Sequence, residues 1–381
     1  MKKHIKLLIV LGIILVGGFS FYLFKGYKKD ALVYENNKIK PSSSGIAMML
    51  ETSAGSGNYE MTTRSEWPTE GYIFNANLSK CENGSELSWN NENKKVLMSG
   101  NKSDKCYVYF DVYVKPQVLL ADYVKSLYTG TQGANSIYYH DASLTNGAGD
   151  NSYRYAGASD QVNNYVCFGS TTTPCPTDNL YRIIGVFGDK VKLIKSTSVG
   201  NKEWDTGGKN TWSKSSLNTY LNNDFLNVFD ETTKGKIADT TWKVGGNTED
   251  NISKQPANTA YQNEVVNPVS EQILSINAQI GLMYASDYGF AAAQSAWTTN
   301  LYDYDGTAIK SANWMYMGLR EWTISRLSGY SNDAFSVDES GFVTGRNLVT
   351  NARGVRPVFY LKSSVNYVSG SGKATEPITI N

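Results

Sequence analysis

The chain has 381 residues, enough for two or three globular units, and 41% of it is hydrophobic, with 13 Phe, 8 Trp and 26 Tyr. That much apolar and aromatic area excludes a disordered chain. The first 29 residues carry six lysines and no acid, and setting those six aside from the 36 basic residues leaves 30 against 35 acids. A mildly acidic body lacks the basic face that displaces counterions, so a nucleic-acid partner is excluded.

In chain order, residues 1–6 read as a cytoplasmic tip, and Leu7 to Phe24 as an uncharged run just long enough to cross a bilayer as a helix. No small-x-small cleavage site follows it, and the run ends in Phe21-Tyr22-Leu23-Phe24, which fits a retained interfacial anchor. Residues 25–44 then form a polar stalk. Residues 45–115 read as a small β module, with its clearest strand at Cys106 to Val114, a turn at Trp67-Pro68 and another strand at Gly71 to Phe74. Pro116 stops the last strand. A helical connector is expected over 116–130, through Val118, Leu119, Tyr123 and Leu127.

Residues 131–381 read as an α+β module. Two strands, Tyr181 to Phe187 and Lys190 to Lys195, flank Gly188-Asp189, a short hairpin signal. The second strand begins by alternating, with Val191 and Leu193 opposed by Lys190 and Lys192. A helix is expected over Lys214 to Phe229, capped by Ser213, with Leu217, Tyr220, Leu221, Phe225 and Phe229 on one face. A second helix is expected near Ser286 to Ala296, and strands near Phe335 to Val337, Gly341 to Thr344 and Val355 to Leu361.

The four cysteines fall two per module, which points to Cys81–Cys106 and Cys167–Cys175 among the three possible connectivities. Neither pair has the C-x2–4-C spacing of a zinc site. Disulfides persist in an oxidising compartment. With the apolar run, they place the body outside the cell on a single-pass membrane anchor.

Little points to catalysis. After the N-terminal tip and apolar run the one histidine is His140, in Tyr138-Tyr139-His140-Asp141, which reads as a packed or surface residue. The chain has no G-x-S-x-G elbow, no H-E-x-x-H, no P-loop and no dinucleotide fingerprint. No catalytic residue and no cofactor is expected. Asp303-Tyr304-Asp305-Gly306 carries part of a calcium loop without its downstream glutamate, so Asp303 and Asp305 are a weak calcium candidate and ordinary turn chemistry is the stronger reading.

The richest segment is Tyr284 to Leu361. It holds Tyr284-Ala285-Ser286-Asp287-Tyr288-Gly289-Phe290-Ala291, then Asn313-Trp314-Met315, Glu321-Trp322-Thr323-Ile324-Ser325 and Arg353-Gly354-Val355-Arg356-Pro357-Val358. Upstream lies Trp212-Ser213-Lys214-Ser215-Ser216-Leu217, continuing to Asn222. This order resembles a family of surface proteins of low-GC Gram-positive and gut bacteria, in which a W-x-x-S-x-L-x-x-x-L-N helix precedes a closing G-V-R-P-V strand. The C-terminal part also resembles the C-type-lectin-like fold of formylglycine-generating enzymes and variable receptor-binding proteins. The chain has no cysteine after Cys175, so the cysteine-dependent activity of the former is not implied. The resemblance implies a scaffold that presents a loop-rich face between Trp322 and Gly354. There Tyr330, Asn332, Asp333, Arg346, Asn347 and Asn351 are the candidate ligand-binding residues, of the types common in paratopes. Trp212, Trp314, Trp322, Gly354, Arg356 and Pro357 read first as fold motif. Arg356, if buried, needs a carboxylate or carbonyl partner, and each indole needs an acceptor.

The expected fold class is therefore β-rich α+β: a membrane helix, a small β module and a C-type-lectin-like domain. The expected function is adhesion or binding of a glycan or protein, with a pilin-like structural subunit and a carboxylate-based cell-wall hydrolase as alternatives. The chain departs from the pilin pattern, because Gly18-Phe19 comes late in the apolar run and no glutamate lies within it.

Overall fold

The computed structural model describes residues 45–381 other than 102, 115 and 269–272. The expected tip, anchor and stalk, residues 1–44, lie outside the described residues. Among the described residues no helix is long and apolar enough to cross a membrane. Among the described residues the longest α-helices, Leu120–Ser126 and Ala285–Ala291, have seven residues each, about 10 Å of rise against the ~30 Å of a bilayer core. A single-pass membrane anchor is therefore not supported, which corrects that expectation.

The described chain is β-rich α+β and divides into two compact units, the first ending at Pro116 and the second running Gln117–Asn381. In the first unit the strand Cys106–Val112 alternates inward and outward residues, with Cys106, Val108 and Phe110 buried. It pairs in parallel with Ile46–Glu51 and antiparallel with Tyr72–Phe74 and Lys80–Cys81. Met48, Trp67, Val96, Val108 and Phe110 make its small core. Cys81 and Cys106 are direct cross-strand partners and are disulfide-bonded.

The second unit has a seven-stranded sheet in the order Ile280–Gly281, Val358–Tyr360, Lys190–Lys195, Leu180–Phe187, Ser152–Tyr155, Ile137–His140, with Tyr165–Cys167 also on Leu180–Phe187. The expected hairpin is present, with Phe187 opposite Lys190 and Gly188 at φ 65° in the turn. Cys167 and Cys175 are disulfide-bonded. The helix Leu120–Ser126, expected as part of a connector, puts Leu120, Ala121 and Val124 into the core of this unit.

A five-stranded sheet carries the C-terminal motifs, in the order Asn201–Glu203, Ala352–Gly354, Glu321–Arg326, Asp333–Val337, Val343–Leu348. Of the last strand expected, 355–361, only Val358–Tyr360 is a strand, in the large sheet, while the preceding strand Ala352–Gly354 belongs to the five-stranded sheet. Pro357, which has no N–H to give a ladder, lies at the crossing between them.

Two helices differ from expectation. The helix over 214–229 is a single α-turn, Ser216–Tyr220, followed by a π-turn Leu221–Phe225 and a 3-10 turn Leu226–Val228. Its cap is Ser215, whose hydroxyl accepts from Asn218 N at 3.1 Å, not Ser213. Leu217, Leu221, Phe225 and Phe229 are all buried at a spacing of four, and the wider π-turn keeps that spacing on one side. The helix near 286–296 ends at Ala291, because Ala292 turns to an extended conformation.

Candidate functional site

The expected loop face is built on the edge strand Val343–Leu348. Its burial alternates, leaving Arg346 and Leu348 outward, with Asp333 opposite Leu348 across the strand pair. Arg346 donates from Nε to Glu249 Oε2 at 2.8 Å and from Nη1 to the Tyr330 hydroxyl at 3.2 Å. Its guanidinium lies 4.8 Å from the Tyr330 ring centroid, within cation–π range. Tyr330 keeps 44% of its surface exposed. Burial raises the Asp333 carboxyl above its usual range, the nearby Arg346 charge opposes that rise, and Glu249 adds to it.

Two residues that sequence reasoning missed set this geometry. Glu249 arrives from a 3-10 turn at Glu249–Asn251, about a hundred positions before Arg346. Asn210, buried, donates from Nδ2 to the carbonyls of Leu327, Tyr330 and Asp333 at 3.0, 2.6 and 2.7 Å, pinning the loop that carries Tyr330. Neither stood out in sequence, since each is one polar residue in a polar turn whose partners are far along the chain.

The structure therefore brings Tyr330, Arg346 and Asp333 together and removes one expected member. Asn347 is buried, donating to Thr344 O at 2.9 Å and accepting from Arg353 Nη2. Asn332 and Asn351 are exposed, and their backbones close turns, Asn332 O accepting from Val349 N and Asn351 N donating to Leu348 O, each at 2.9 Å. At the opposite edge of the same sheet, a groove of about 320 Å³ is lined by Lys202, Glu203, Thr206, Ser216, Leu217 and Tyr220. There Lys202 Nζ sits 3.8 Å from the Tyr220 ring centroid.

The fold-motif residues are interior. Arg356 donates from Nε and Nη2 to the two oxygens of Glu321 at 2.7 and 2.8 Å, and from Nη2 to Met315 O at 2.7 Å. The Trp314 indole donates to Tyr155 O at 2.8 Å and the Trp322 indole to Lys202 O at 2.9 Å. Trp212 is buried against Trp204, and its indole N–H has no hydrogen-bond partner among the described residues. A Cβ on Gly354 would lie 3.1 Å from Arg320 O, the carbonyl that its own N–H reaches at 2.7 Å. Pro357 O accepts from Lys195 N at 3.0 Å. Asp303 and Asp305 stay exposed, and among the described residues no three His, Cys, Asp or Glu side chains gather as a cation would need.

A second cluster was not foreseen. Tyr360, Lys192, Gly185, Arg154 and Tyr138 are successive cross-strand partners, so their side chains share one face of the large sheet. Lys192, which alternates with Val191 and Leu193 in the sequence, is 1% exposed. The reason is that this sheet is covered on both faces, so alternation does not separate core from solvent. Asp287, from the helix Ala285–Ala291, meets Lys192 Nζ at 2.5 Å. Asp150 meets Arg154 Nη2 at 2.6 Å and accepts from the Tyr261 hydroxyl at 2.7 Å. Gly185 makes this packing feasible, because a Cβ there would lie 2.3 Å from Tyr153 O.

Burial lowers the Lys192 ammonium below its usual range against the opposing pull of Asp287. Burial alone would raise Asp150, but the Arg154 charge and bonds from Ser152 and Tyr261 outweigh it and hold the carboxyl low. Glu264 accepts from the N–H groups of Ala285 and Ser286 and from the Ser325 hydroxyl, and burial nonetheless pushes it up. His140 is also interior, packed edge-on to Phe290 and against Trp297. Its Nδ1 accepts from Ala148 N at 3.0 Å, and burial, then the Arg154 charge, hold the ring well below its usual pKa.

Fold and site together define a disulfide-linked, β-rich chain with an exposed aromatic and charged sheet edge and a buried charge cluster. Residues 188–363 match the model of a domain of unknown function, DUF6273. No curated protein and no solved structure matches the chain. The matched span holds both sheet edges, Lys192, Asp287 and the Glu321–Arg356 pair, and excludes Asp150, Arg154 and the first unit.

Proposed function

We propose that the second unit is a recognition module of C-type-lectin-like type that binds a glycan or protein through Tyr330, Arg346, Glu249 and Asp333. The observation that carries this reading is the half-exposed Tyr330 ring, held in place by Arg346 on one side and by the Asn210 anchor beneath its loop. A pre-positioned aromatic with charged neighbours loses little entropy on binding, the property that makes Tyr and Arg frequent anchors at interfaces. A sugar would stack on the ring and bond its hydroxyls to Glu249 and Asp333. A protein loop would use the same anchor with Leu348 beside it.

The test is binding of the full chain to a glycan array and to immobilised candidate proteins, followed by titration of each hit. Tyr330→Ala and Arg346→Ala should each weaken binding about tenfold or more, as expected for loss of ~1.5–2 kcal/mol at an anchor. Tyr220→Ala, at the other edge of the sheet, should leave it unchanged. Binding lost with Tyr220→Ala and kept with Tyr330→Ala would overturn the reading and move the site to the Lys202 groove.

A further inference from the structure

The Lys192–Asp287 contact is more than an ordinary interior ion pair. Lys192 is 1% and Asp287 3% exposed. The ammonium is walled by aromatic rings, with centroids at 4.7 Å (Tyr284), 5.4 Å (Tyr360), 5.5 Å (Phe187) and 5.7 Å (Trp242). Taking two charges out of water costs several kcal/mol per ion, which one short ionic contact and the facing rings offset only in part. Proton transfer within the pair would leave an amine and a carboxylic acid, with no charge to desolvate. Those are the two functional groups of an amide, held in contact by packing.

The surroundings of the Asp287 carboxyl fit an acyl-transfer centre. Oδ2, which faces Lys192, also accepts the Tyr284 backbone N–H at 2.9 Å. Arg154 Nη1 stands 3.9 Å from Oδ1, is buried, and has no hydrogen-bond partner among the described residues. A guanidinium N–H left unbonded beside a carboxyl oxygen is placed for the negative charge that oxygen acquires when the carbon becomes tetrahedral. Arg154 is itself held by Asp150 and by three rings, Phe187, Tyr261 and Phe290, at 4.7–4.8 Å. The other charged group of the cluster, Glu264, is occupied by Ala285 N, Ser286 N and Ser325 Oγ.

We propose that Lys192 and Asp287 condense into an intramolecular isopeptide bond, a self-formed cross-link between the centre of the large sheet and the helix Ala285–Ala291. The ammonium proton passes to the carboxylate. The Lys192 nitrogen lone pair then attacks Asp287 Cγ; the negative charge develops on Oδ1, beside Arg154 Nη1, while Oδ2, which holds the transferred proton and the Tyr284 N–H bond, becomes the departing hydroxyl. The nitrogen loses its second proton to the departing hydroxyl. One C–N bond forms, one C–O bond breaks and one water leaves; no electron acceptor or donor is needed. Holding amine and acid in contact supplies the effective concentration that drives condensation, which is unfavourable between separate molecules in water. The bond would close a loop of 95 positions.

The experiment is the intact mass of the full chain under denaturing, non-reducing conditions, followed by tryptic mapping. The expected wild-type mass is that of the sequence with two disulfides, lighter by one further water. The map should contain a branched peptide joining the Lys192 and Asp287 segments, with no cleavage after Lys192. Lys192→Arg and Asp287→Ala should each show the uncondensed mass. Asp287→Asn, which can lose ammonia instead, should reach the same final mass as the cross-linked wild type. A wild-type mass without the loss of water, with Lys192 and Asp287 on separate linear peptides, would overturn the proposal whatever the variants do.

Discussion

The Arg356–Glu321 pair gives the most direct measure of what holds the second unit together. Both side chains are 2% exposed, and each is the other's only ionic partner among the described residues. Replacing Arg356 with Leu removes two charge-assisted hydrogen bonds to Glu321 and one to the Met315 carbonyl. It leaves a carboxylate in the interior with nothing to neutralise it, which costs about 3–5 kcal/mol. In the double variant Arg356→Leu with Glu321→Leu no charge is stranded. The main remaining loss is the donor to Met315 O, about 1 kcal/mol, plus packing changes of similar size. The double variant is therefore expected to be more stable than the single variant by about 2 kcal/mol. Urea unfolding followed by tryptophan emission reads this well, since six of the eight tryptophans lie in the second unit. The reasoning fails if Arg356→Leu costs under ~1 kcal/mol, or if the second substitution adds to the damage of the first.

The remaining predictions concern other parts of the molecule. His140 is held neutral in the folded state, whereas an unfolded chain protonates its histidine near pH 6.5. The folded pKa is depressed, so this contribution is constant above ~6.5 and stability falls by about 1.4 kcal/mol per unit below it, until the folded pKa is reached. Unfolding midpoints from pH 7.5 to 5 should show that slope, and His140→Asn should flatten it; equal slopes would refute the assignment. Opening each disulfide releases loop entropy. The chain-entropy relation gives about 3.5 kcal/mol for Cys81–Cys106 and about 2.5 kcal/mol for Cys167–Cys175, from separations of 25 and 8 residues. Paired Cys→Ser variants, melted separately, should rank in that order. Gly185→Ala would push a methyl against Tyr153 O and should cost ~2 kcal/mol or more, read as a drop in the second unit's melting temperature. A neutral Gly185→Ala would mean that the strand can move away there.

Much of the fold was legible because its signals are local. A run dense in Tyr, Val and Phe marks Cys106–Val112, and Gly188-Asp189 between two apolar runs marks the hairpin. The cysteine pairing followed from module membership alone, and both bonds join residues no more than 25 positions apart. The exposed site was half legible. Tyr330, Arg346 and Asp333 could be named within the interval that the resemblance implies, but Asn347, named with them, points inward. Which side of an edge strand faces solvent depends on its neighbour and on the bulge between Ala334 and Ser336.

The amino-acid sequence by itself determined the β-rich class, the two sulfur bridges and the need of Arg356 for a partner. All of these rest on composition, short-range spacing or the cost of burying one kind of group. Only the tertiary structure decided that Lys192 is interior, that its partner is Asp287, and that Glu249 and Asn210 shape the Tyr330 edge. Each of those contacts spans roughly a hundred positions of chain, and the solvation of a charge is a property of everything packed around it. No local pattern of lysines and valines carries that information.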